Sequence, residues 1–162
     1  MTALERLTHE TALKYWKRLT WIVREKNKAM PDGSRIRLAS PVTAGRSTVA
    51  NSWLQRFLAA VDADPDTYKV DIIALHWYGQ NFTNQAAVQG NLLAYVDAVR
   101  DDRTLRGGNL QREVWITEFG LMQPGPPKTY PSPEFMADFV AGSVPKLEQR
   151  AFVWAQNAPC ER

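Results

Sequence analysis

The sequence predicts an α/β fold built on buried parallel strands, and three observations carry that reading. Two short runs, residues 70–79 (VDIIALHWYG) and 113–120 (EVWITEFG), are β-branched and aromatic, close on glycine, and hold most of their polar side chains for the last positions. Buried parallel strands read this way, as near-continuous apolar runs. Between the strands lie stretches with apolar residues at helical spacing. The resulting order, a helix, then strand and helix three times, then a strand, is the order a parallel sheet layered with helices requires.

Each element has its own signal. Thr8 caps a first helix whose apolar positions Ala12, Trp16, Leu19 and Val23 recur at helical spacing to about Lys28. Pro31-Asp32-Gly33 is a turn, and residues 35–40 alternate as a strand until Pro41 stops it. A second helix, roughly Val49 to Ala63, puts Trp53, Leu54, Phe57, Leu58 and Val61 on one stripe. After the strand at 70–79, residues Asn84 to Arg100 carry Val88, Leu92, Tyr95, Val96 and Val99 at the same spacing, and residues 101–109 link them to the next strand. A proline-rich loop, 121–131, follows the strand at 113–120. Ser132 and Pro133 read as cap and first residue of a helix that Pro145 should end or kink, and residues 150–155 form a last strand.

Composition narrows the class. With 162 residues, 44% hydrophobic and 23% charged, the chain reads as one globular unit, 1–162, with no repeat, linker or second-domain boundary. A net charge of +3 is spread through helices and interleaved with acids, as in Arg24-Glu25-Lys26, which describes a solvated face and not a nucleic-acid patch. No apolar run approaches the length of a membrane span, and the start at Met1 lacks the build of a signal peptide, so the compartment stays open between cytoplasmic and a longer precursor. Cys160 has no partner for a disulfide. Without a glycine-rich phosphate loop no nucleotide cofactor is expected, and two distant histidines, His9 and His76, do not make a metal site.

The chemistry gathers at the carboxyl ends of the two central strands. Residues two apart share a strand face, so His76 and Tyr78 project with Ile72 and Ala74, and Glu118 projects with Ile116 and Val114. Trp77 and Trp115 then point the other way, toward helices. A carboxylate, an imidazole and a phenol at neighbouring strand ends are expected to form a polar cluster with Glu118 and Tyr78 in hydrogen-bond reach. The plainer alternatives are a solvated strand-end glutamate for Glu118 and a core histidine for His76. Trp154, on the last strand, is read equally as a sugar platform or as core.

Ala39-Ser40-Pro41, Val70-Asp71 leading into His76-Trp77-Tyr78-Gly79, Trp115-Ile116-Thr117-Glu118-Phe119 and Val153-Trp154 occur in the order seen in one family. The sequence resembles the Asl1-like glycoside hydrolases of the endo-β-1,3-glucanase type, retaining enzymes built on a (β/α)8 barrel. The resemblance covers most of this chain but only the second half of that domain, and implies a partial barrel of about strands 5–8 with their helices. It implies Glu118 as catalytic nucleophile at the end of the seventh strand and β-glucan, with β-1,3-glucan foremost, as the polysaccharide partner; beside that carboxylate, the shared strand face gives His76 and Tyr78 a role in substrate contact or in orienting it, and Trp154 at the end of the last strand a substrate-binding role. It also suggests a secreted or cell-wall setting.

The sequence departs from the family in one respect. The family's general acid is a glutamate in an Asn-Glu pair ending the fourth strand, and this sequence has no such pair. Glu5 and Glu10 do not match the motif, Asp71 and Glu113 sit at the wrong strand ends, and Glu134 and Glu161 are not aimed at a substrate by anything in the sequence. The isolated chain is therefore expected to be inactive alone, or to be a non-catalytic carbohydrate-binding or structural half-barrel. A half-barrel with helices on one side should also leave Ile72, Ala74, Val114 and Ile116 facing water, beside two unpaired sheet edges, and so self-associate.

Overall fold

The computed structural model describes residues 8–31, 33–44, 51–80, 82–107, 112–150 and 153–155, the last segment and Thr43–Ala44 by backbone only. Its elements are α1 (His9–Asn27), β1 (Thr43–Ala44), α2 (Trp53–Ala63), β2 (Ile72–Gly79), α3 (Gln85–Asp101), α4 (Arg103–Arg106), β3 (Glu113–Leu121), α5 (Pro133–Glu148) and β4 (Val153–Ala155). The four strands form one sheet in the order β1-β2-β3-β4, every pair parallel. Neighbours in sequence are neighbours in space, because each crossover is a helix that returns the chain to the next strand.

The helices begin where their capping chemistry dictates. The Thr8, Ser52, Asn84 and Ser132 side chains accept from the third residue on, and at Ser52 the Gln55 side chain completes a capping box. The second helix thus starts at Trp53 and not at Val49, a residue outside the described part. A one-turn helix, α4, was not anticipated in the link after α3; Asp102 caps it and Gly107, in the left-handed conformation at φ 67°, ends it. Pro145 neither ends nor breaks α5, which runs on to Glu148.

The expected strand at 35–40 is the largest departure. Only Ala39 bridges to β2, opposite Ile72, and ladder pairing resumes at Thr43 opposite Leu75. The offset between partners changes by one residue across Pro41, which has no N–H to give to a ladder. Ser40 fills the gap: its hydroxyl accepts from the Ala74 N–H at 3.1 Å, while its own N–H donates to the Ile72 carbonyl at 2.8 Å.

One core lies between the sheet and the helices. Ile73 and Leu75 of β2 and Val114 and Ile116 of β3 join Leu54, Phe57, Val96, Phe139 and Leu147 from the helices. Trp16 meets Phe57 edge-on, with its indole N–H on the Tyr68 carbonyl, and Trp53 stacks on the same phenyl ring. Trp16 is core and Trp53, partly buried, packs against it. The expected water-facing set is not found: Val114 and Ile116 lie under the helices, and Ile72 and Ala74, on the other face, are 3% and 2% exposed. At the amino ends of β2 and β3, the buried Arg112 guanidinium pairs with Asp62 and donates to the Val70 and Leu105 carbonyls, which ties α2, α4 and the sheet together.

Candidate active site

The register of β2 against β3 decides which residues share a face. Ile72 pairs with Glu113, Ala74 with Trp115, and Leu75 with Ile116; then the register steps, so that His76 pairs with Glu118, Trp77 with Phe119 and Tyr78 with Gly120. Thr117 is the extra residue. Strict alternation would have put Glu118 on the face of Val114 and Ile116, which is the helix face. The bulge moves it to the other one. Phe119 takes up the helix side, its ring 6.0 Å from that of Phe139, which also lies 6.0 Å from Trp77.

Glu118 therefore shares a face with Ile72, Ala74, His76 and Tyr78, and not with Val114 and Ile116 as alternation predicted. Trp115 is corrected with it. Its indole N–H donates to Glu113 at 3.0 Å on the face away from the helices, whereas Trp77 packs on the helices as expected. The apolar positions Val114, Ile116, Phe119 and Leu121 are spaced two, three, two, and that broken alternation is the sequence signal for the bulge.

His76 Nδ1 lies 3.2 Å from Glu118 Oε2, with the two side chains 31% and 52% exposed. The pair is partly open to solvent, and Ala74, two residues before His76 on the same face, is buried. Tyr78 is on the same face, but no hydrogen bond joins it to Glu118 among the described residues. Its ring lies against Gly120, where an added Cβ would come within 3.9 Å of the ring. Trp154 is level with Trp115 in the ladder and thus with Ala74, two residues of β2 before His76; its side chain is outside the described part.

The other acids are committed elsewhere. Asp71 accepts from the Leu38 N–H at 2.7 Å, at the amino end of β2. Burial pushes Glu113 up, but hydrogen bonds from Arg37 and Trp115 outweigh it and hold its pKa below the ordinary value. Glu134 turns back on its own N–H and on Ser132 at the start of α5, which lowers its pKa too. Glu5 and Glu161 lie outside the described residues. Among the described residues no group of three or more His, Cys, Asp or Glu side chains is placed to hold a metal ion, and no helix is long and apolar enough to cross a membrane.

Residues 4–156 match the family model of the glycosyl hydrolase catalytic core. The chain belongs to that family. Among solved structures, a glutamate-to-glutamine mutant of a GH128 (subgroup I) endo-β-1,3-glucanase from Amycolatopsis mediterranei, in complex with laminarihexaose, is 32% identical with a TM-score of 0.70, over 91% of this chain and 53% of that one. A glutamate-to-alanine mutant of the same enzyme, in complex with laminaripentaose, is 30% identical with a TM-score of 0.72, over 96% and 55% of the two chains. A GH128 (subgroup IV) endo-β-1,3-glucanase from Lentinula edodes, 22% identical at a TM-score of 0.53 over 91% and 45%, shares the fold alone. This glycosyl hydrolase chain spans about half the length of those relatives. Comparison with curated proteins gives no match.

Proposed function

We propose that the chain is the nucleophile-bearing half of a retaining β-1,3-glucan hydrolase, a single unit forming about strands 5–8 of a (β/α)8 barrel. Four parallel strands in sequence order, with helices on one face, support the architecture. So does the likeness to about half of each longer glucanase. The observation that carries the chemistry is the half-exposed Glu118 carboxylate at the carboxyl end of β3, 3.2 Å from His76. In a barrel of this kind, catalytic side chains sit at that end of the strands.

In this reading the Glu118 carboxylate attacks the anomeric carbon as the glycosidic bond breaks, and water later releases the sugar with its original configuration. His76 orients the carboxylate, Tyr78 and Trp154 contact the sugar, and β-glucan is the substrate. The leaving oxygen needs a proton from a second carboxyl group about 5–5.5 Å from the nucleophile. None of the other described carboxylates is engaged with the Glu118–His76 pair, and the Asn-Glu pair that carries the acid in the family resembled does not occur in this sequence. The same observation favours a second reading, in which the chain binds glucan without turnover. With Ile72, Ala74, Val114 and Ile116 buried, self-association of the isolated chain would draw on the outer strands β1 and β4 and on exposed apolar side chains such as Tyr15, Trp21 and Ile22 of α1.

Reducing-sugar release from laminarin separates the two. The 162-residue chain should release little, since positioned general acid catalysis is worth about 10²–10⁴-fold. Joined to an upstream segment ending in an Asn-Glu strand, it should hydrolyse laminarin with retention, and Glu118→Gln should abolish that turnover while the fold persists. Undiminished activity in the extended Glu118→Gln protein would remove Glu118 from the mechanism.

A further inference from the structure

We propose that Thr117 is the positioning residue of this site, its hydroxyl fixing the bulge that turns Glu118 away from the helices and toward His76. The inference rests on the reading of Glu118 as the reactive carboxylate, but its evidence is separate. Two residues, Thr117 and Glu118, stand between the helix-facing Ile116 and Phe119, where regular alternation would place one. The chain must therefore be held in an irregular conformation at that step. Thr117 Oγ1 donates to the Leu75 carbonyl at 3.2 Å, across the point where the register shifts between Leu75 and His76. Threonine hydroxyls compete with regular ladders in this way, giving the backbone a local partner that a strand does not offer.

Two anchors then bracket Glu118. In front of it, the Thr117 hydroxyl ties β3 to β2; behind it, the Phe119 ring is packed against Phe139. The Phe119 anchor fixes the strand but leaves the residue before it free to rotate about the bulge. The hydroxyl removes that freedom. A reactive group has to be held to within about 0.5 Å of its working position, so the bond matters to chemistry more than to stability. Because Thr117 is exposed, its loss leaves no cavity.

The test is the through-space contact between His76 ring protons and Glu118 side-chain protons, read by nuclear Overhauser enhancement on the 162-residue chain. Thr117→Val keeps the shape and removes the donor; Thr117→Ser keeps the donor. The valine variant should lose most of the His76–Glu118 enhancement, several-fold in intensity, with an unfolding midpoint near that of the parent. The serine variant should retain the enhancement. An enhancement of parental strength in Thr117→Val, or equal loss in both variants, overturns the proposal. Thr117→Ala serves as a second donor-free variant should valine perturb the fold, and must behave as valine is expected to. Glu118→Gln keeps the same protons and should keep the enhancement, so failure of the nucleophile assignment, read from turnover, is told apart from failure of the positioning assignment, read from this contact.

Discussion

Truncating Phe139 tests whether the carboxyl ends of β2 and β3 are held from behind in the way the bulge requires. The ring is fully buried and meets two others, Trp77 and Phe119, each 6.0 Å away. These partners are sequence neighbours of His76, Tyr78 and Glu118. Phe→Ala in a core costs about 3–5 kcal/mol, and each aromatic pair is worth about 0.5–1.5 kcal/mol beyond its buried area. With two such pairs lost, Phe139→Ala should fall in the upper half of that range, about 4 kcal/mol, out of a typical total of about 5–15. At a urea dependence of about 2 kcal/mol per molar the midpoint drops by about 2 M. Thermal melting falls by about 8–16 °C for a chain of this size. Tryptophan fluorescence and circular dichroism in urea measure it. A midpoint shift of less than about 0.5 M would refute the packing of Phe119 on the helix side, and with it the bulge.

Two further outcomes follow from the same structure. Ser40→Ala leaves the buried Ala74 N–H without its acceptor and should cost about 1–3 kcal/mol in urea unfolding, more than an ordinary surface serine. Glu113, whose folded pKa lies below the ordinary 4.5, contributes stability that is present above that value and lost as pH falls through the folded pKa. Arg37→Gln should therefore flatten the fall of melting temperature between pH 5 and lower pH, and an unchanged slope would contradict the pairing.

How much of this was legible depended on whether local pattern or register made the decision. Helix starts at Thr8, Asn84 and Ser132 were readable because a side-chain oxygen and the donor three residues on are local. The strand at 35–40 was not, because alternation argued for it while Pro41 removed the donor that continuous pairing needs. At the site, sequence brought Glu118, His76 and Tyr78 to one end of the sheet but reached the right face for Glu118 by the wrong route. Counting from Val114 by twos lands on Glu118, yet the helices cover Val114, Ile116, Phe119 and Leu121, so the count had to break at Thr117. Tyr78 was expected on the Glu118 carboxylate; instead its ring lies beside Gly120. Trp115 went astray for the same parity reason.

The most direct test of Glu118 as nucleophile uses a substrate that needs no acid. A 2-deoxy-2-fluoro-β-laminaribiosyl fluoride departs as fluoride without protonation, so attack by a carboxylate oxygen on the anomeric carbon breaks the C–F bond and leaves a covalent glycosyl ester. Incubated with the 162-residue chain and followed by peptide mass spectrometry, it should add one fluorinated disaccharide to the peptide containing Glu118 and nothing to the Glu118→Gln protein. A label on any other carboxylate, or no label at millimolar reagent, would contradict the account.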